Sequence, residues 1–219
     1  MRNLSKKGAQ AYTPLTLKIY DWWVLGISNR YAWRCPTEDV LVNHFNKHIG
    51  HKHLDIGVGT GFYLSQTDHA RDITLMDLNT NSLHAARTRI GAQRVSNCLE
   101  HDVFNEFPRA LHNVFDSVSM FYLLHCLPGT PADKALAIKN AAAALGANGT
   151  LYGATILGDA AGHNGFGKKL MKVYNKKGIF SNRQDTAEQL RQTLEGYFEE
   201  VSVSTVGVVA TFAATKKRL

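Results

Sequence analysis

The sequence predicts an α/β fold of the doubly wound kind, a parallel sheet with helices on both faces. Three observations predict it. Strand-like and helix-like runs alternate from residue 52 to residue 156, which favours parallel strands joined by right-handed crossovers. The run His53-Leu54-Asp55-Ile56 leads straight into a turn carrying Gly57, Gly59 and Gly61. A second apolar run, Ile73-Thr74-Leu75-Met76, ends on Asp77, 20 residues after Gly57. Glycines let the backbone adopt φ > 0 and let a ligand approach the main chain closely. An acid at the tip of the second strand can accept both hydroxyls of a ribose.

Taken in chain order, residues 1–10 read as loosely attached. From Tyr12 to His48 the pattern is helical and rich in aromatics (Tyr20, Trp22, Trp23, Tyr31, Trp33, Phe45), with a break at Pro36-Thr37-Glu38 and Thr37 as the next N-cap. Residues 1–48 are therefore expected to form a helical cap on the same domain, packed over the carboxyl ends of the strands or against a sheet face. Residues 49–219 form the ligand-binding domain. Its expected strands are 52–56, 72–77, 96–101, 115–120 and 149–156, and its helices 61–69, 80–91 and 131–145. A glycine-rich loop follows Ile156, then a helix over 166–176, a second loop at 178–182 and a helix over 186–194. The segment near 158–182 reads as an insertion placed where a lid over a substrate would lie. Two strand-like runs, Phe198 to Val206 and Val208 to Thr215, are separated by Gly207 and fit an antiparallel hairpin at the sheet edge.

The glycine turn separates two classes of nucleotide ligand. A dinucleotide fingerprint wants G-x-G-x-x-G, but the third glycine here comes one residue early and Phe62 holds the sixth position. Asp55, two residues before Gly57, would repel a pyrophosphate and suits a ligand carrying positive charge. The run Leu54-Asp55-Ile56-Gly57-Val58-Gly59-Thr60-Gly61 resembles the first motif of the class I S-adenosylmethionine-dependent methyltransferases, whose cofactor carries both an ammonium and a sulfonium. The resemblance continues in order. Asp77, followed by Leu78, corresponds to the ribose-binding acid. Asp102 and Val103 stand where the family places an acid near the adenine amine, although Asp102 also suits a turn. Phe115 to Met120 resembles the fourth strand, Phe121-Tyr122-Leu123-Leu124-His125-Cys126 the loop at its end, and Ala147-Asn148-Gly149-Thr150-Leu151 the turn into the fifth. The resemblance implies a Rossmann-like sheet of seven strands ordered 3-2-1-4-5-7-6, the last antiparallel. It further implies S-adenosylmethionine as cofactor, held by Asp55, Gly57, Gly59, Gly61, Asp77, Leu78, Asp102, Val103 and Phe121.

Methyl transfer is an in-line displacement, so positioning carries much of the catalysis. Aromatic faces can stabilise a sulfonium before transfer. Tyr20, Trp33 and Tyr122 are the candidates for such a pocket, against the alternative that the cap's aromatics fill its interface with the sheet. A phenol or alcohol acceptor must lose its proton, a task suited to histidine with its unperturbed pKa near ~6.5. His125, past the fourth strand, and then His163, past the fifth, are the candidate bases; the alternative for His125 is a ring bonded to backbone. Arg30 and Arg34 could reach a carboxylate of cofactor or substrate, or stand as an exposed pair.

Composition narrows the classes. The 219 residues are 44% hydrophobic, enough for one full core. No apolar run reaches membrane-spanning length, and the basic start lacks the apolar stretch of a secretory signal. Three cysteines, Cys35, Cys98 and Cys126, have neither metal spacing nor a disulfide pattern, so a cytoplasmic setting is expected. No metal constellation is evident. The net charge of +7 is scattered over the termini and the wet face of the 166–176 helix, which argues against a nucleic-acid partner. The expected reaction is methylation of a small molecule at an oxygen of an aromatic or polyketide-like compound. The rivals are an RNA or DNA methyltransferase and a protein that binds the cofactor without transfer. A homodimer through the N-terminal aromatics is compatible with the sequence.

Overall fold

The computed structural model describes residues 21–218, and its centre is strand β1 (Lys52–Ile56). From His53 to Ile56 this strand is buried on both faces, as a central parallel strand must be. It pairs in parallel with β2 (Asp72–Asp77) on one side and β4 (Phe115–Phe121) on the other. Outside these lie β3 (Val95–Glu100) beside β2 and β5 (Leu145–Ile156) beside β4, both parallel. A terminal hairpin of β6 (Phe198–Val206) and β7 (Val209–Lys217) completes the sheet, with β7 antiparallel to both β5 and β6. The order β3-β2-β1-β4-β5-β7-β6 is the one the resemblance implied. It reverses between β1 and β4, and such a switch point opens a crevice at the carboxyl ends of the strands.

Helices cover both faces. One face packs against α5 (Pro131–Ala144) and α7 (Ala187–Glu195), through residues such as Ile138, Ala141, Leu190 and Leu194. The other packs against α1 (Asp21–Trp33), α2 (Thr37–Val42, continuing as Asn43–His48), α4 (Thr80–Ile90) and α6 (Gly165–Lys176). Local chemistry sets the helix starts. Asn79 caps α4 by accepting from the Asn81 amide at 2.9 Å, and Thr130 and Asp133 form a capping box across Pro131 at the start of α5. The expected helix 61–69 shrinks to one turn, α3 (Phe62–Ser65), where Ser65 Oγ bonds back to the Phe62 carbonyl and Thr67 Oγ1 accepts from the His69 amide.

The N-terminal helices dock by backbone as well as by side chains. The Val208 amide donates to the Trp33 carbonyl at 3.0 Å, so the β6–β7 turn meets the end of α1. Gly207 sits there at φ +60°, and a Cβ on it would lie 2.2 Å from the Trp33 carbonyl oxygen and 2.5 Å from that of Arg34. Trp23 Nε1 donates to the Tyr174 hydroxyl at 2.9 Å, which ties α1 to α6. At the other end of α1, Asp21 accepts from Thr60 Oγ1 at 2.6 Å and pairs with Arg89, linking the cap to the glycine turn and to α4. Replacing Gly207 by Ala forces both a left-handed alanine and a backbone clash; urea unfolding should report a loss of about 2 kcal/mol.

Candidate active site

The crevice at the β1/β4 switch point is a cleft whose empty space, counting the part open to solvent, is about 860 Å³. Its floor is the turn after β1. Gly57 (φ +76°) donates its amide to the Met76 carbonyl at 2.8 Å, which locks the turn onto the end of β2. Gly59 (φ +52°) lines the cleft, and a Cβ there would meet no atom of the described residues within 4 Å. The space above the turn is thus open to a ligand that lies on the main chain.

At one end of the cleft stands Asp77, with Leu78, Asp102 and Val103 beside it. Asp77 Oδ1 accepts from the Asn79 amide at 2.8 Å, and the amides of Gly59, Val58 and Leu78 also donate to this carboxylate. Asp102 Oδ1 accepts from the Phe104 amide at 3.0 Å, so it makes a turn while facing the cleft. Asn140 of α5 holds that turn from behind, donating to the carbonyls of Val103 (2.8 Å) and Asn105 (2.9 Å).

At the other end the wall is Phe121, Tyr122, Leu123, Cys126, Leu127, Pro128 and, from the loop after α6, Ile179. Tyr122 occupies the left-handed region at φ +56°, a strained place for a non-glycine residue. Its hydroxyl donates to Asn29 Oδ1 of α1 at 2.7 Å and its amide to the Ala154 carbonyl at 2.8 Å, which fixes the ring. The loop carrying Ile179 is held by a buried ion pair: Lys134 Nζ meets Asp185 Oδ2 at 2.5 Å and the Ser181 carbonyl at 2.7 Å.

Of the residues expected from sequence, Gly57, Gly59, Asp77, Leu78, Asp102, Val103, Phe121 and Tyr122 line this cleft. The other described candidates do not line it. Asp55 lies behind the glycine turn, almost wholly buried, with its Oδ1 accepting from Ser119 Oγ at 2.5 Å. Gly61 packs against Ala86 of α4, where a Cβ would come within 2.9 Å of the backbone; it serves helix packing. His125 is buried among Phe180, Tyr122 and Thr155, and its Nδ1 accepts the Ile156 amide at 3.2 Å. Burial pushes its pKa down to about 3, and its accepting nitrogen is already occupied, so it is not placed to act as a base. His163 is buried edge-on to Trp33, with Nε2 donating to the carbonyls of Leu157 and Gly158. Trp33 itself is buried in the cap interface against Phe180. Arg30 and Arg34 are exposed, Arg34 donating to the Gly162 carbonyl at 2.9 Å. Tyr20 lies outside the described residues. Sequence reading missed Ser82, His101 and the run Cys126-Leu127-Pro128, although that run's place just past the fourth strand pointed to the mouth.

The site is electrostatically one-sided. Burial pushes Asp55 up to about 7 and Asp77 up to about 6, and among the described residues neither carboxylate has an ion pair. A folded acid with a raised pKa holds a proton that the unfolded chain has already lost. Stability therefore falls as pH climbs from about 4, the ordinary aspartate value, through these folded values. Asp77→Asn should accordingly stabilise the ligand-free protein by on the order of 2 kcal/mol at pH 7.5 and far less at pH 4, as read from urea unfolding at the two pH values.

Comparison with known proteins gives this geometry its family. The methyltransferase domain family matches residues 54–151. The chain is 40% identical over 217 residues to the physcion biosynthesis cluster O-methyltransferase of Aspergillus chevalieri, covering 98% of this chain and 97% of that one. It is 54% identical over 194 residues to the uncharacterized protein YbcY of Escherichia coli (strain K12), covering 89% of this chain and all of that one. Among solved structures, the DhpI complex with S-adenosylhomocysteine superposes with a TM-score of 0.71 over 99% of this chain and 98% of that one, at 13% identity. An open glycine turn, an acid at the tip of β2 and this sheet order thus occur in a chain that belongs to the class I S-adenosylmethionine-dependent methyltransferases.

Proposed function

We propose that this enzyme methylates an oxygen of a small aromatic or polyketide-like metabolite. The observation that carries the reading is the wall from Tyr122 to Ile179: none of its cleft-lining side chains is charged, so it suits a flat, largely apolar acceptor. The name of the Aspergillus chevalieri relative supports oxygen as the atom methylated.

The residues present fit the cofactor. The turn at Gly57 and Gly59 would take its amino-acid end, with open main chain at Gly59, Asp77 its ribose hydroxyls, and Asp102 with Val103 its adenine. When bound, S-adenosylmethionine supplies an electrophilic methyl group on a sulfonium. The protein's own part is geometric. Tyr122, held by Asn29 and Ala154, gives the acceptor a fixed aromatic wall. The Cys126 thiol is pushed up to about 12 by burial, so it stays protonated and is no rival nucleophile. Among the described residues no helix is long and apolar enough to cross a membrane. With three free thiols, we place the protein in the cytoplasm.

The test is to incubate the pure protein with methyl-labelled S-adenosylmethionine and a panel of phenols, carboxylates and amines. Label should appear on phenols. Label reaching RNA alone would overturn the reading in favour of a nucleic-acid enzyme, and label reaching nothing while the cofactor binds would make the protein a binding module. A pocket substitution sharpens the test. Ile179→Trp narrows the acceptor end and should raise acceptor KM about tenfold, while cofactor affinity stays within about twofold by calorimetry.

A further inference from the structure

Behind the glycine turn runs a buried chain of polar groups that the cleft does not use. The Gly50 amide donates to Ser117 Oγ at 2.8 Å. Ser117 Oγ lies 2.7 Å from His53 Nδ1, and the backbone carbonyl of Ser117 is also in reach of the ring. His53 Nε2 lies 3.0 Å from Ser119 Oγ, which meets Asp55 Oδ1 at 2.5 Å. His53, Ser117 and Ser119 are fully buried, on facing positions of β1 and β4.

We infer that Ser117, His53 and Ser119 are positioning residues for cofactor capture: their hydrogen-bonded chain reverses direction with the ionisation of Asp55, so that an ionised Asp55 and a cationic ligand over the glycine turn arrive together. Counting hydrogens gives the two directions. With Asp55 ionised, Ser117 donates to His53 Nδ1, His53 Nε2–H donates to Ser119, and Ser119 donates to the carboxylate. With Asp55 neutral, its own hydroxyl donates to Ser119, Ser119 donates to His53 Nε2, and Nδ1–H turns to Ser117. The net change on ionisation is one proton lost from Asp55 to solvent; the two hydroxyls rotate and the His53 proton moves from Nδ1 to Nε2. The imidazole is neutral in both states, because burial pushes His53 down to about 3.

Asp55 does not line the cleft, so it acts on the ligand through space, in a poorly solvated setting where a charge counts for more than in water. Among the described residues, the groups around it leave that charge unopposed. Asp77 of β2 repels it. Tyr152 of β5 lies beside Ser119 as a neutral phenol, its ionisation pushed far up by burial. His44 and His48 of α2 flank Tyr152, and burial lowers both. Arg89 of α4 is spent on Asp21 of α1, at Thr60 on the turn. A sulfonium or ammonium would be the missing counter-charge, and its arrival would draw the proton off Asp55.

The inference rests on the cofactor and not on oxygen as the acceptor atom. Calorimetry of S-adenosylmethionine binding to the full chain from pH 5.5 to 8.5, in two buffers of different ionisation heat, should show affinity rising through about pH 7 with release of close to one proton below it. Ser119→Ala removes a donor to the carboxylate and should move that midpoint up by about one unit, about fivefold weaker binding at pH 7. Ser119→Thr keeps the hydroxyl and should restore the original profile. In nitrogen-15 spectra of the unaltered protein, His53 should carry its proton on Nδ1 in the ligand-free form at pH 5.5 and on Nε2 in the complex at pH 8. The same tautomer in both, or an unshifted profile in Ser119→Ala, overturns the inference while leaving the cofactor in place. Absence of S-adenosylmethionine binding at every pH overturns the cofactor as well. Should Ser119→Ala fail to fold, the tautomer measurement still decides.

Discussion

A buried and a half-buried carboxylate, neither ion-paired among the described residues, are the constraint on which the rest of this structure depends. Asp55 and Asp77 stand near the carboxyl ends of neighbouring central strands, and burial raises both. Hydrogen-bond donors compensate in part: backbone amides at Asp77 and the Ser119 hydroxyl at Asp55. The remaining cost is borne by a sheet whose core on both faces is large enough to tolerate it. Function therefore sits at a place where the ligand-free fold is less stable than it could be, and a cationic nucleoside relieves the imbalance.

The acceptor end is built differently, from segments far apart in sequence that are pinned by specific bonds. Tyr122 is strained, and its strain persists because two hydrogen bonds from opposite directions over-determine it, one to α1 and one to β5. The helices α1 and α2 thus do more than cover a sheet face. Asn29 receives the Tyr122 hydroxyl and itself donates to Thr37 Oγ1 at 2.8 Å, so the joint between α1 and α2 bears on the wall of the cleft.

The sheet and half of the site were legible in the sequence because they rest on local rules. Glycines at 57 and 59 and an acid closing an apolar run need no knowledge of distant residues, and the hairpin at Gly207 is set by its own turn. The histidines were not legible. Position along the chain put His125 and His163 at the mouth, but side-chain direction decides function. After the left-handed Tyr122, which no glycine announces, the chain enters a tight turn at Leu124–Cys126 that aims His125 inward and Cys126 at the cleft. Trp33 was hidden for other reasons: α1 winds as a π-helix, an uncommon geometry that ordinary helical periodicity does not anticipate, and its indole meets His163 and Phe180 from distant segments. Ile179 comes to the cleft only through the packing of the loop that follows α6.

The Lys134–Asp185 pair shows why that loop arrives at one position. A buried ion pair adds little net stability, because the desolvation of two charges offsets their attraction. Its value lies in geometry. Lys134 can satisfy its ammonium only if both the Ser181 carbonyl and the Asp185 carboxylate are present, four residues apart on the loop. The Ser181 amide in turn bonds the His125 carbonyl at 2.8 Å, and the Asn182 side chain bonds the Ile156 carbonyl at 2.9 Å. A displaced loop would strand a buried charge and several backbone groups at once, each costly to leave unpaired. The wall that Ile179 completes is therefore held by the penalty for moving it, and His125, at the centre of that set of bonds, contributes to the active site by fixing its shape.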